Sequence, residues 1–325
     1  MKREDAGASG VASRLANREE PLITVHSLRL LACLFLAMCS GCAVFSSSEA
    51  DETEAARPIQ LQADEPIGKF LADADMIIAR WNLVTLKAAT PEQQREARLL
   101  RQVLFDRTSK RCADLVRELE TGPPVNRVRA AAALGFSGAV QAQSPLLNAL
   151  GDSHPDVVNN SLMALALLGR ADTPLDAICK LSEFDPDAAT RSQAAFAMRS
   201  IVNAGGSGDC ARGAARRGLI DSEAFVRSQC ALTLGLLADR DSLPALADLM
   251  FDKSVHVASA AIQAMLLLAD KEKDERGRVA RALLAAHQRS KGTIAELTMD
   301  GLVSISEVNY GSDMRLWTEW AERMP

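Results

Sequence analysis

Arg191-Ser192-Gln193-Ala194-Ala195 returns as Arg227-Ser228-Gln229-Cys230-Ala231, 36 residues further along the chain. Each copy begins six residues after an aspartate, Asp185 and Asp221. Working outward, the same marker recurs at Asp152 and Asp252, and Thr121 holds its place in an earlier unit. The spacings between markers are 31, 33, 36 and 31 residues. Twelve residues after each marker the side chain is small: Ala133, Ala164, Ala197, Thr233 and Ala264. One residue later it is large and apolar: Leu134, Leu165, Met198, Leu234 and Met265. Offsets of 5, 9, 12, 13 and 16 fall on one face of a helix with 3.6 residues per turn. Small positions let neighbouring helices approach, and large ones fill the space between them.

A second, shorter helical run precedes each marker, as in Pro145 to Leu150, Pro174 to Leu181 and Leu243 to Phe251. Proline in a first turn forfeits an amide that has no helical partner anyway. Each unit therefore reads as a helix, a tight turn and a second helix, and a period near 31–37 residues is that of a stacked repeat. Composition agrees. The 325 residues include 54 Ala and 42 Leu, while aromatic residues make up 4%. Helix formers dominate and strand formers are scarce, which excludes β-sandwiches and barrels.

The aspartate marker, the following Val or Arg and the run Ala133-Leu134-Gly135 resemble HEAT repeats, in particular the short bacterial kind akin to phycobilisome-lyase repeats. The resemblance spans roughly residues 91–305 and implies an all-α fold: a right-handed α-solenoid of about six HEAT-like helical hairpins, an armadillo/HEAT superhelix. Array ends must present polar faces, so degenerate units are expected around Pro91 to Leu104 and Val279 to Ser304. The sequence closes on Asn309-Tyr310-Gly311 and Trp317-x-x-Trp320, resembling an ending seen on other bacterial HEAT-type proteins. A short helix there reads as a cap over the last repeat, with an exposed aromatic anchor as the other reading.

Ahead of the array, Leu28 to Phe45 is an apolar run too short and interrupted to span a bilayer comfortably, and of the size of a secretory signal. It contains Ser40-Gly41-Cys42, which resembles a bacterial lipobox. That resemblance implies export, cleavage before Cys42 and a lipid on its sulfur; Ala43 after it favours the outer membrane over the inner. Two features depart from the pattern. Cys39 stands where an aliphatic is usual, and the preceding stretch is long, as if translation began near Val25. An ordinary signal peptide, a short anchor and a cytosolic chain are the other readings. The expected division is a signal segment over 1–41, a disordered acidic tether over 42–66, the array over 67–310 and the capping helix over 311–325.

For chemistry, Asp152, Asp185, Asp221 and Asp252 with Arg127, Arg191 and Arg227 read as a ladder joining successive repeats. An aspartate accepts amides at a helix start, and a guanidinium offers a planar fork to a carboxylate. A row of arginines binding an anion is the rival reading. Asn160, Gln193, Gln229 and Gln263, all uncharged, are candidates for an outward face that meets a partner. Cys210 and Cys230 lie on opposite sides of the turn near Asp221, where an antiparallel hairpin would bring them level as a disulfide in an oxidising compartment. A free, buried Cys230 is the alternative. Arg212, Arg216 and Arg217, and the charged run Lys271 to Arg281, read mainly as solvated helix surface. His154, His256 and His287 are far apart in the chain, the array carries no zinc-type spacing, and no phosphate loop or nucleophile elbow appears. No metal and no cofactor is expected. The net charge of −5 argues against nucleic acid as partner. The expected function is a lipid-tethered scaffold on the periplasmic side of a bacterial envelope, binding a protein partner. The alternatives are a lyase-like or other enzyme built on the repeats, and anion or nucleic-acid binding through an arginine row.

Overall fold

The computed structural model describes residues 65–87, 90–206, 208–306 and 308–324. Within them the chain forms fifteen α-helices and no strand. In order they are α1 (Ile67–Leu86), α2 (Pro91–Lys110), α3 (Cys112–Thr121), α4 (Pro124–Leu134), α5 (Gln143–Asn148), α6 (Pro155–Leu168), α7 (Asp176–Phe184) and α8 (Ala188–Asn203). Then follow α9 (Asp209–Gly218), α10 (Ala224–Leu236), α11 (Leu243–Leu249), α12 (Val255–Lys271), α13 (Arg276–Arg289), α14 (Thr293–Ser306) and α15 (Met314–Arg323).

From α3 to α14 the helices pair as six hairpins. The second helix of each hairpin packs against the second helix of the next, so α4, α6, α8, α10, α12 and α14 form one continuous row. α1 joins the start of that row by packing on α4. The first helices of the hairpins make the other row. This is an α-solenoid of helical hairpins.

Local chemistry explains the boundaries. Each helix from α4 to α12 that follows a marker begins three residues after it. Asp152, Asp185, Asp221 and Asp252 each accept, through Oδ1, the amide two residues on, at 2.8–2.9 Å. That Asx-type turn aims the chain into the helix. Thr90 and Gln93 form a reciprocal capping box at the start of α2, with Pro91 in the first turn. α6 stops at Gly169, whose φ of 55° is the left-handed conformation that glycine adopts without cost. Pro174 differs from expectation. It precedes α7, whose first residue is Asp176, because the stretch after Gly169 is spent on an irregular loop.

The core is the seam between the rows and between neighbours within a row. Ala133, Ala164, Ala197, Thr233 and Ala264 are all fully buried, as are Leu134, Leu165, Met198, Leu234 and Met265. Two seams close to backbone contact. A Cβ on Gly135 would lie 2.8 Å from Ala164 Cα, and one on Gly235 only 2.6 Å from Ala264 Cα. Both glycines stand fourteen residues after their markers and both alanines twelve after theirs, so the same contact is made at the first and the fourth junction of the row. At the far end α15 packs on α13. Trp317 is completely buried and donates from Nε1 to Gly311 O at 3.0 Å; Tyr310 and Trp320 meet its ring edge-on.

Candidate binding face

The ladder residues are brought together across repeats. Arg127 on α4 donates through Nε and Nη2 to both carboxylate oxygens of Asp152, at 2.8 and 3.0 Å. Arg191 on α8 does the same to Asp221, and Arg227 on α10 to Asp252. The remaining nitrogen, Nη1, turns back to a carbonyl of the arginine's own turn: Gly122, Asp185 or Asp221. Each arginine therefore ties its own turn to the next one. Asp185 receives no such arginine, because Val158 occupies the matching place on α6, and Ala258 ends the series on α12.

These rungs set the charges. The Arg127 hydrogen bonds hold the Asp152 carboxyl below the usual range. At Asp221 and Asp252 burial pushes the carboxyl up, and the hydrogen bonds from Arg191 and Arg227 outweigh it, so both are lowered. The arginines are spent on carboxylates, which leaves no row of them free for an outside anion.

A second set of rungs ties the loops between hairpins: Arg216, Arg217 and Arg240 are exposed and Arg212 half-buried, so these are surface side chains that also pair across the array. Arg212 and Arg216 reach Asp239, which is buried and also accepts from Ser242. Arg217 pairs with Glu183 on the previous hairpin, and Arg240 with Glu272 and Asp274 on the following one. A carboxylate 23 residues from its arginine leaves no mark in a local helical pattern, which is why these pairs escaped notice.

The proposed partner residues are only partly available. Gln263 is exposed and Gln193 half-buried. Asn160 is half-buried and donates to Val128 O on the neighbouring helix at 3.0 Å. Gln229 is a correction: it is 2% exposed, and Ser192 and Ser228 are buried with it. The sides of a row helix that are open in an isolated hairpin are covered by its two neighbours in the array. Partly open along the row are Met163 on α6, Gln193 and Phe196 on α8 and Phe225 on α10, with Gln263 on α12 fully exposed. Phe196 and Phe225 meet across the row at 6.5 Å between ring centres.

The cysteine pairing is also corrected. Cys210 is bonded to Cys179 on α7, with Cα atoms 6.1 Å apart, and Cys230 is free and buried. Cys210 opens α9 while Cys230 lies beside Gly218 at its far end, about 12 Å away at 1.5 Å per residue. Burial pushes the Cys230 thiol up to about 12. Cys42 and the segments assigned to signal and tether up to residue 64 lie outside the described residues. Among the described residues no group of three potential ligands could hold a metal ion, and no helix is long and apolar enough to cross a membrane.

Two rows of paired helices, stitched turn to turn by arginine–aspartate rungs, define the class: an α-solenoid of HEAT-type helical hairpins. Residues 113–199, covering α4, α6 and most of α8 with their partners, match the family model for HEAT repeats, and this stretch of the chain consists of them. No curated protein matches the sequence. Among solved structures, a designed armadillo repeat protein is similar with 16% identity and a TM-score of 0.47, covering 59% of this chain and 98% of its own. Another designed armadillo repeat protein, in complex with peptide (KR)4, shows 16% identity and a TM-score of 0.45 over 63% of this chain and 100% of its own. The complex of CpcE and CpcF of phycocyanin lyase from Nostoc sp. PCC7120 is similar at 14% identity and a TM-score of 0.39, over 86% of this chain and 100% of that one.

Proposed function

We propose that this chain is a scaffold of a bacterial cell envelope, tethered to a membrane by a lipid on Cys42 and holding a protein partner along the row of second helices. The observation that carries the binding face is the set of uncharged, partly open side chains Met163, Gln193, Phe196, Phe225 and Gln263, drawn from four successive hairpins, with Phe196 and Phe225 meeting across the row. Methionine and aromatic side chains bring large contact area, and charged residues are depleted at the centres of protein interfaces. The Cys179–Cys210 bond supports an oxidising compartment, as the lipobox-like Ser40-Gly41-Cys42 supports export.

Site-specific photo-crosslinking in cells tests the face. A crosslinker at Gln193 or Gln263 is expected to trap one discrete partner, whereas one at Lys180 or Asp248 on the other row traps none. Equal trapping from both rows refutes the assignment. The tether is tested by palmitate labelling, which Cys42→Ala should abolish; labelling that survives the substitution removes the lipid from the reading.

A further inference from the structure

Arg199 on α8 stands fourteen residues after its marker. In the first and fourth repeats that place is Gly135 and Gly235, and it is where neighbouring row helices touch. An arginine there costs close packing and brings a charge into the seam. Arg199 is half-buried, its Nε is buried without a hydrogen-bond partner, and burial lowers its pKa. Its guanidinium lies 5.2 Å from the centre of the Phe196 ring. Among the described residues, every other buried or half-buried arginine pairs with a carboxylate, apart from Arg276, which donates to a backbone carbonyl. Arg199 makes no hydrogen bond within the described residues, and its two terminal nitrogens stay open to solvent. The same two helices hold further unspent polarity: Ser192 Oγ and Gln229 Oε1 are buried without partners.

A partly desolvated cation with a buried, unbonded Nε is a cost to folding, and an aromatic ring offsets only part of it. Such a cost is characteristic of a residue kept for binding rather than for stability. A planar guanidinium backed by a ring presents its free edge to one planar anion, a carboxylate.

We propose that Arg199, framed by Phe196 and Phe225, is the subsite that reads one acidic side chain, Asp or Glu, in a bound segment of the protein partner. The inference deepens the proposed binding face and rests on it. A partner carboxylate meets the terminal nitrogens that face solvent in the free chain, and charge complementarity at this one position gives the otherwise uncharged strip its register.

The experiment uses the full chain and a positional-scanning library of nonapeptides, acetylated and amidated so that only side chains carry charge. Asp or Glu is expected to be enriched at one position. Arg199→Gln is expected to weaken the selected peptide at least tenfold while leaving its Asn- or Gln-substituted counterpart unchanged, and Arg199→Lys to recover part of the loss. Arg199→Met is expected to melt no lower than the parent, since it removes an uncompensated charge. Peptides retained without an acidic preference, or a preference that survives Arg199→Gln, overturn the subsite and leave the proposed function standing. A chain that retains no peptide of any composition takes both down. A large drop in melting temperature for Arg199→Met assigns the residue to folding and also overturns the subsite.

Discussion

Gly235→Ala places the reading of the repeat seam under direct test. In most helices this substitution stabilises, by about 1 kcal/mol, because alanine gives up less backbone freedom than glycine. Gly235 is different. The added Cβ would meet Ala264 Cα and O at 2.6 Å each and Ala264 C at 3.0 Å. All three are backbone atoms of α12, so relief requires a helix to move rather than a side chain to turn. Overpacking of that kind costs about 1–3 kcal/mol. Backbone contacts this short belong in the upper part of that range, about 2–3 kcal/mol, so after the propensity gain of about 1 kcal/mol the net expectation is a loss of about 1–2 kcal/mol. At about 2–4 °C per kcal/mol for a domain of this size, the melting temperature falls by roughly 2–8 °C. Gly213→Ala in α9 is the matched control. Its nearest neighbour is the flexible Arg217 guanidinium at 3.4 Å, so the propensity gain of about 0.5–1 kcal/mol survives. Thermal and urea melts followed by far-UV circular dichroism report both. If Gly235→Ala matches or exceeds the parent in stability, the close seam and the repeat register built on it are wrong.

Three other expectations follow from the rungs and the disulfide. Arg227→Ala strands Asp252, both being about nine-tenths buried, and should cost about 3 kcal/mol in urea denaturation; a loss no larger than that of the exposed Arg315→Ala would contradict the rung. Because Asp152, Asp221 and Asp252 have lowered folded pKa values, their contribution is complete above the unfolded carboxylate range and is lost as pH falls through the folded values. Urea midpoints should therefore decline below about pH 5, more shallowly in Asp152→Asn, and an unchanged acid slope in that variant would count against the assignment. Peptide mapping without reduction should yield a Cys179–Cys210 peptide, with Cys230 alkylated only after unfolding; a Cys210–Cys230 peptide would reinstate the other pairing.

The repeat was legible in the sequence because side chains at offsets 12 and 13 answer to neighbours that recur with the same period. Arg127, Arg191 and Arg227 were legible as a ladder for the same reason. Burial of Ser192, Ser228 and Gln229 was not: polarity of one helix gives no information on the two helices flanking it. The disulfide was missed because levelness in sequence about a turn neglects that α9 runs for ten residues, putting Cys210 at one end and the level of Cys230 at the other. Asp239 was not legible because it lies in the loop after α10 while its partners Arg212 and Arg216 both lie on α9. Arg199 fits none of the repeat positions, and that misfit is the signal it carries.

The Cys179–Cys210 bond closes a stretch of 31 residues, one full period, and joins the third of the six hairpins to the fourth. In a stacked array each unit leans only on its nearest neighbours, so melting advances like a zipper from either end. A covalent clasp at the midpoint is met by both fronts. A loop of that length withholds roughly 3–4 kcal/mol of chain entropy from the unfolded side. The two central hairpins thus behave as one cooperative block and the outer pairs as shorter zippers on each flank, so native-state hydrogen exchange should be slowest at the centre, the region that also bears Phe196 and Phe225.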